Sequence, residues 1–188
     1  MKPSCNFYDL DETGVIKEAH FLKSANFDAR PKDKTISMVV IHSISLPPNK
    51  FGGAFIEDFF TNNLNTEYDP YFKEIDKLKV SAHFLIKRNG KLIQFVSCKD
   101  RAWHAGKSNW KNASNCNDFS IGIELEGSDF FPFEKIQYMK LINLLKCLCN
   151  NYPINAIVGH NQISPERKTD PGPYFDWELI KAENFHDS

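Results

Sequence analysis

With 188 residues, 41% of them hydrophobic and 25% charged, the chain has the make-up of one soluble globular domain with room for a full core. A net charge of −1 and the lack of any long basic run argue against nucleic acid or an anionic membrane as partner. No apolar run is long enough to span a bilayer, and the opening stretch from Met1 to Leu10 lacks the apolar core of a signal peptide, so a cytoplasmic protein is expected.

About the first 25 residues are polar and mixed, which predicts an irregular arm with at most a short strand. Ser37-Met-Val-Val-Ile41 is apolar and β-branched, the pattern of a central strand covered on both faces, and His42 ends it. Asn49 to Gly53 reads as a turn. Ala54 to Phe60 reads as a short helix, with Phe55 and Phe59 inward. A second short helix is expected over Pro70 to Leu78, with Pro70 near its first position and Asp69 as cap. Val80–Ile86 and Leu92–Val96 flank Asn89-Gly90, a strong hairpin signal. Phe119 to Leu125 is the next strand. Pro132 to Tyr152 is a long amphipathic helix whose apolar face holds Ile136, Met139, Leu141, Ile142, Leu144, Leu145 and Leu148. Ala156 to Val158 is a last short strand, ending in Gly159-His160. Without repeat or linker, this order predicts a single α/β domain over residues 1–188, one central sheet with helices on both faces. The five cysteines, Cys5, Cys98, Cys116, Cys147 and Cys149, are odd in number and hold no Cys-x-x-Cys pair; free thiols in a reducing compartment are expected, with Cys147 and Cys149 on different helix faces.

The chemistry concentrates at strand ends. His42 and His160 each follow an apolar β-branched run. If those strands lie parallel and adjacent, both imidazoles emerge at the carboxyl rim of the sheet, where α/β folds bind ligands. The loop after His160 adds Lys168 and Asp170 between prolines that restrict its backbone. Two histidines and a carboxylate form the ligand set of a zinc site with one open position. In Ile121-Gly-Ile-Glu-Leu-Glu-Gly127, alternation puts Ile121, Ile123 and Leu125 on one face and Gly122, Glu124 and Glu126 on the other. Either glutamate could take a proton from a nucleophilic water, and the spacing does not choose between them. Lys168 could face an oxyanion. Trp103-His104-Ala-Gly106 reads as a pocket wall, with His104 and His83 as pocket or core residues rather than ligands.

The motifs Val40-Ile-His-Ser-Ile-Ser-Leu-Pro-Pro48, Phe51-Gly-Gly53, Val80-Ser-Ala-His-Phe84, Arg101-Ala-Trp-His-Ala-Gly106, Cys116 to Gly127, Gly159-His160 and Arg167 to Pro173 resemble the zinc-dependent N-acetylmuramoyl-L-alanine amidases. Within them they are most similar to the cytoplasmic subgroup that acts on 1,6-anhydro-muramoyl-L-alanine, whose entry segment is matched by Phe27-Asp-Ala-Arg-Pro31. The likeness runs from about residue 25 to residue 178. It implies a central mixed sheet flanked by helices, as in peptidoglycan recognition proteins. It implies one zinc per chain on His42, His160 and Asp170, with Glu124 and Lys168 as catalytic pair. The implied substrate is an anhydro-muropeptide of peptidoglycan recycling, contacted by Ser43, Tyr71, Lys79, Ala102, Trp103, Asn115 and Leu125. Three positions depart from the subgroup: Ser43 stands for asparagine, and Lys79 and Asn115 for arginine, whose bidentate fork neither reproduces. The alternatives are a general amidase of intact wall and a zinc-free peptidoglycan-binding module. The oligomeric state is not legible.

Overall fold

The computed structural model describes residues 8–185; Cys5 and the leader reading of the first seven positions lie outside them. Two short strands open the described chain, β1 (His20–Phe21) and β2 (Phe27–Ala29), followed by the long β3 (Met38–Ile44). Helices α1 (Phe55–Phe60) and α2 (Pro70–Ile75) precede β4 (Phe84–Ile86), β5 (Leu92–Gln94) and β6 (Asp100–Ala102). A small ribbon, β7 (Asn109–Trp110) and β8 (Ala113–Ser114), leads through a 3-10 turn at Cys116–Asp118 into β9 (Ser120–Glu126). Helix α3 (Lys135–Asn151), β10 (Ala156–Gly159), α4 (His160–Ile163) and α5 (Trp177–Lys181) complete the order.

The main sheet runs β1-β5-β4-β9-β3-β10. It is mixed: β4 and β5 pair antiparallel, and β9, β3 and β10 run parallel. Val39, Val40 and Ile41 are wholly buried because β3 lies between β9 and β10 with a layer on each face. One layer is α3, whose Leu141, Leu144, Leu145 and Leu148 pack with Ile121, Ile123 and Leu125. The other is α1 and α2, whose Ile56, Phe59, Phe60 and Phe72 pack on Leu85, Ile93 and Phe95. Each such side chain contributes roughly 1.5–3 kcal/mol by leaving water.

Local chemistry sets the boundaries. Asp69 caps α2 by accepting from the Tyr71 N–H at 3.1 Å, as its sequence position suggests. Gly90 takes a left-handed φ of +82° in the β4–β5 turn. Helix α3 starts later than Pro132, because the side chains of Glu134 and Gln137 cap each other's backbone. Its inner face also differs from expectation. Met139 is 61% exposed, and Gln137 is buried in its stead. A polar residue is tolerated there because its amide donates to the Ile86 and Glu126 carbonyls, both at 3.1 Å, while its oxygen accepts from the Glu134 N–H.

Candidate metal and acid–base site

Register brings the site together. Pairing of Gly159 with Ile41 sets His160, the first residue of α4, level with His42 on β3. On the other flank of β3, His42 pairs with Glu124 of β9. The 164–173 loop then folds back: the Asn161 N–H donates to the Asp170 carbonyl at 2.9 Å. Gly159 permits this, since a Cβ there would lie 2.8 Å from the Pro171 ring and 2.5 Å from the Asn161 side chain.

His42 Nδ1, His160 Nδ1 and Asp170 Oδ2 form a triangle with edges of 3.0, 3.0 and 3.1 Å. Donors ~2.0–2.2 Å from a tetrahedral zinc would lie roughly 3.3 Å apart, so the triangle is close to one face of such a site. The hydrogen bonding fits a cation too. His160 Nε2 faces the Ala105 carbonyl at 3.0 Å, and a carbonyl only accepts, so the proton is on Nε2. In the singly protonated ring Nδ1 then turns a lone pair toward a carboxylate oxygen 3.0 Å away, a repulsion that a cation between them would relieve. Burial pushes the His42 pKa down to about 4 against the pull of Asp170, so this imidazole is neutral, as a ligand must be.

These groups line a cavity of about 380 Å³, together with Glu124, Lys168 and an apolar wall that includes Phe59, Phe60, Ile75, Val80 and Trp103. A larger hollow of about 590 Å³ beside Trp177 and Ile180 is lined by none of the proposed metal or acid–base groups. Glu124 is buried, and its Oε2 has no hydrogen-bond partner. Burial, then the charge of Asp170, raise its pKa well above the ordinary value, while Lys168 pulls the other way.

Glu126, the rival on the same face of β9, has a different environment. It accepts from the Gly52 and Arg88 N–H groups at 2.7 and 3.0 Å and pairs with the buried Lys87 at 3.3 Å. Lys87 also reaches Glu57 at 3.1 Å and the Gly53 carbonyl at 2.8 Å. Both Glu126 carboxylate oxygens are thus engaged, Oε1 with the Phe51–Gly53 loop and Oε2 with the β4–β5 turn. Both glutamates are buried on this central strand, so neither lies on an exposed sheet face.

Of the residues implied as substrate contacts, Ser43, Tyr71 and Trp103 line the cavity. Four are not brought there. Leu125 points into the core under α3, following the alternation of its strand. Ala102 is buried in the α1–α2 core. Lys79 is exposed and donates to Asn62 Oδ1 at 3.1 Å, and Asn115 is an exposed left-handed residue before the 3-10 turn. His104 is the opposite case: it touches a proposed ligand, with Nδ1 2.9 Å from His42 Nε2. Its signal was Gly122, the small residue in an otherwise bulky strand, where a Cβ would sit 2.4 Å from the His104 ring.

Comparison with known proteins identifies the family and the fold. The N-acetylmuramoyl-L-alanine amidase family model matches residues 32–173. A 1,6-anhydro-N-acetylmuramyl-L-alanine amidase AmpD from Haemophilus influenzae is 51% identical over 170 residues, 89% of this chain and 92% of that one. A crystal structure of a selenomethionine AmpD derivative superposes with a TM-score of 0.90 at 46% identity, covering 93% of this chain and 99% of the other. An Escherichia coli amidase AmiD, solved as a complex with anhydro-N-acetylmuramic acid-L-Ala-D-γ-Glu-L-Lys, aligns at a TM-score of 0.59 and 33% identity, over 82% of this chain and 58% of its own.

Proposed function

The chain belongs to the N-acetylmuramoyl-L-alanine amidase family, and from that premise we propose that it hydrolyses the amide bond between 1,6-anhydro-N-acetylmuramic acid and L-alanine in muropeptides released during peptidoglycan recycling. The observation that carries this reading is one cavity shared by the His42–His160–Asp170 triangle, Glu124 and Lys168.

Those three ligands would hold one zinc per chain, which supplies a water of pKa about 7 and polarisation of the scissile carbonyl. Glu124 takes the attacking water's proton at its unpartnered Oε2 and passes it to the departing amine, as the water oxygen adds to the lactyl carbonyl carbon and that carbon's bond to the alanine nitrogen breaks. Burial raises its pKa, the direction that strengthens the carboxylate as a base. Lys168 places a positive charge in the cavity where negative charge develops on the carbonyl oxygen. Trp103 offers flat apolar surface to a bicyclic sugar, and Phe59 and Phe60 back the cavity wall. The four described cysteines are free, which supports the cytoplasm as the place of action.

The test is mass spectrometry of products from matched anhydro- and reducing-end muropeptides, with and without chelator. Release of anhydro-muramic acid and free peptide, lost with chelator and restored by zinc, is the expected result. Equal kcat/KM on both sugars would instead describe a general wall amidase, and no cleavage with tight binding a recognition module.

A further inference from the structure

The Trp103–Gly106 segment was expected to wall a pocket, yet two of its residues hold the far nitrogens of both imidazoles in the triangle. The Ala105 carbonyl does this directly for His160, at 3.0 Å from Nε2. His42 is reached by a longer route that starts at another backbone carbonyl. Cys116 O lies 2.6 Å from Ser120 Oγ, and since a carbonyl cannot donate, the serine proton is on that contact. Ser120 Oγ is then left to accept from His104 Nε2 at 3.2 Å. With Nε2 as the donor to Ser120, the Nδ1 of a singly protonated His104 ring is an acceptor. That nitrogen faces His42 Nε2 at 2.9 Å, which must donate. The only place left for the lone pair of His42 is Nδ1, the atom in the triangle.

We propose that His104 is a positioning residue for the metal site: the relay from Cys116 O through Ser120 and His104 fixes the tautomer of His42, while the neighbouring Ala105 carbonyl fixes that of His160. One short segment thereby presets both ligands before a metal arrives. The segment is itself braced. Asn117 Oδ1 accepts from the His104 and Ala105 N–H groups at 3.2 and 2.8 Å, and Arg167 Nη2 donates to the Ala105 carbonyl at 2.8 Å. Hydrogen bonds of this kind to the far side of a ligating imidazole orient the ring and raise its basicity.

This inference rests on the reading of the triangle as a metal site, but not on the substrate, and the experiments separate the two. Long-range ¹H–¹⁵N NMR of the metal-free wild-type protein should show His42, His104 and His160 all protonated on Nε2. A His42 proton on Nδ1 would overturn the relay, as would a Ser120→Ala spectrum in which His104 keeps its single tautomer. Zinc affinity, measured by chelator competition, should fall ~10–100-fold in His104→Phe, the usual cost of losing such a partner. His104→Asn keeps an acceptor near the place of Nδ1 and should recover most of that loss. Unchanged zinc affinity in a folded His104→Phe protein would leave His104 a packing residue. Wild type that bound no zinc would sink the metal reading, while the tautomers would still decide the relay.

Discussion

Glu124 and Glu126 are two residues apart on one face of one strand, yet their surroundings assign them opposite roles. Glu124 has a free buried oxygen and a raised pKa; Glu126 has every oxygen engaged. Glu124→Gln should therefore keep zinc and lose ~10²–10⁴-fold in kcat, a typical contribution of a general acid–base group. It should also change the pH dependence of stability. The folded-state pKa of Glu124 lies above its unfolded value, so the native state binds the extra proton in the window between the two. Stability is full below the unfolded pKa and falls as pH rises toward the folded one. Glutamine has no such proton, so denaturant midpoints of the metal-free variant should lose that decline and exceed wild type at neutral pH; a parallel pair of curves would refute the burial cost. Lys168→Ala should lower kcat far more than it raises KM, because its charge acts on the transition state. A raised KM at constant kcat would make it a substrate-binding group.

At the level of elements, Glu126 and Lys87 fasten the Phe51–Gly53 loop, and with it the start of α1, to the sheet. Glu126→Ala should cost about 3 kcal/mol, the low end for breaking a buried pair, because Glu57 still faces Lys87. Chemical denaturation measures that loss, and kcat of the folded fraction should change little. This division of labour was not legible in the strand's alternation, which placed both glutamates alike. What was legible had short range: the β4–β5 hairpin from Asn89-Gly90, the Asp69 cap, and histidines toward the carboxyl ends of two adjacent parallel strands, although β3 runs on past His42 to Ile44 instead of ending there. The rest depends on partners far apart in sequence. Lys87 meets Glu126 across 39 positions, and His42 meets His104 across 62. Met139 failed for a related reason. Period alone ranked it above Gln137, whose burial needed two carbonyls that only the folded sheet supplies. Leu125 and Ala102, implied as substrate contacts, have their side chains turned into core by their own strands.

Across the whole molecule, the triangle joins three separate parts of the chain: β3, the start of α4 and the 164–173 loop. Protein contacts already hold that loop. Ser164 Oγ donates to the Lys107 carbonyl at 3.0 Å, and Arg167 Nη2 donates to the Ala105 and Lys107 carbonyls at 2.8 and 3.1 Å. The fold should therefore survive metal removal, but with three lone-pair atoms forced together at about 3 Å. Zinc bound only by the native state stabilises it by about 4 kcal/mol when free metal is 1,000-fold above Kd. At ~2–4 °C per kcal/mol for a chain of this size, chelation should lower Tm by roughly 8–16 °C, and added zinc should restore it. His160→Ala removes one corner of the triangle, so its Tm should barely respond to chelator or zinc. The comparison is made by thermal melts of both proteins with chelator and then with excess zinc. A wild-type Tm indifferent to both would mean that no ion ties these segments together. A His160→Ala protein that gained as much from zinc as wild type would place the stabilising ion elsewhere in the molecule.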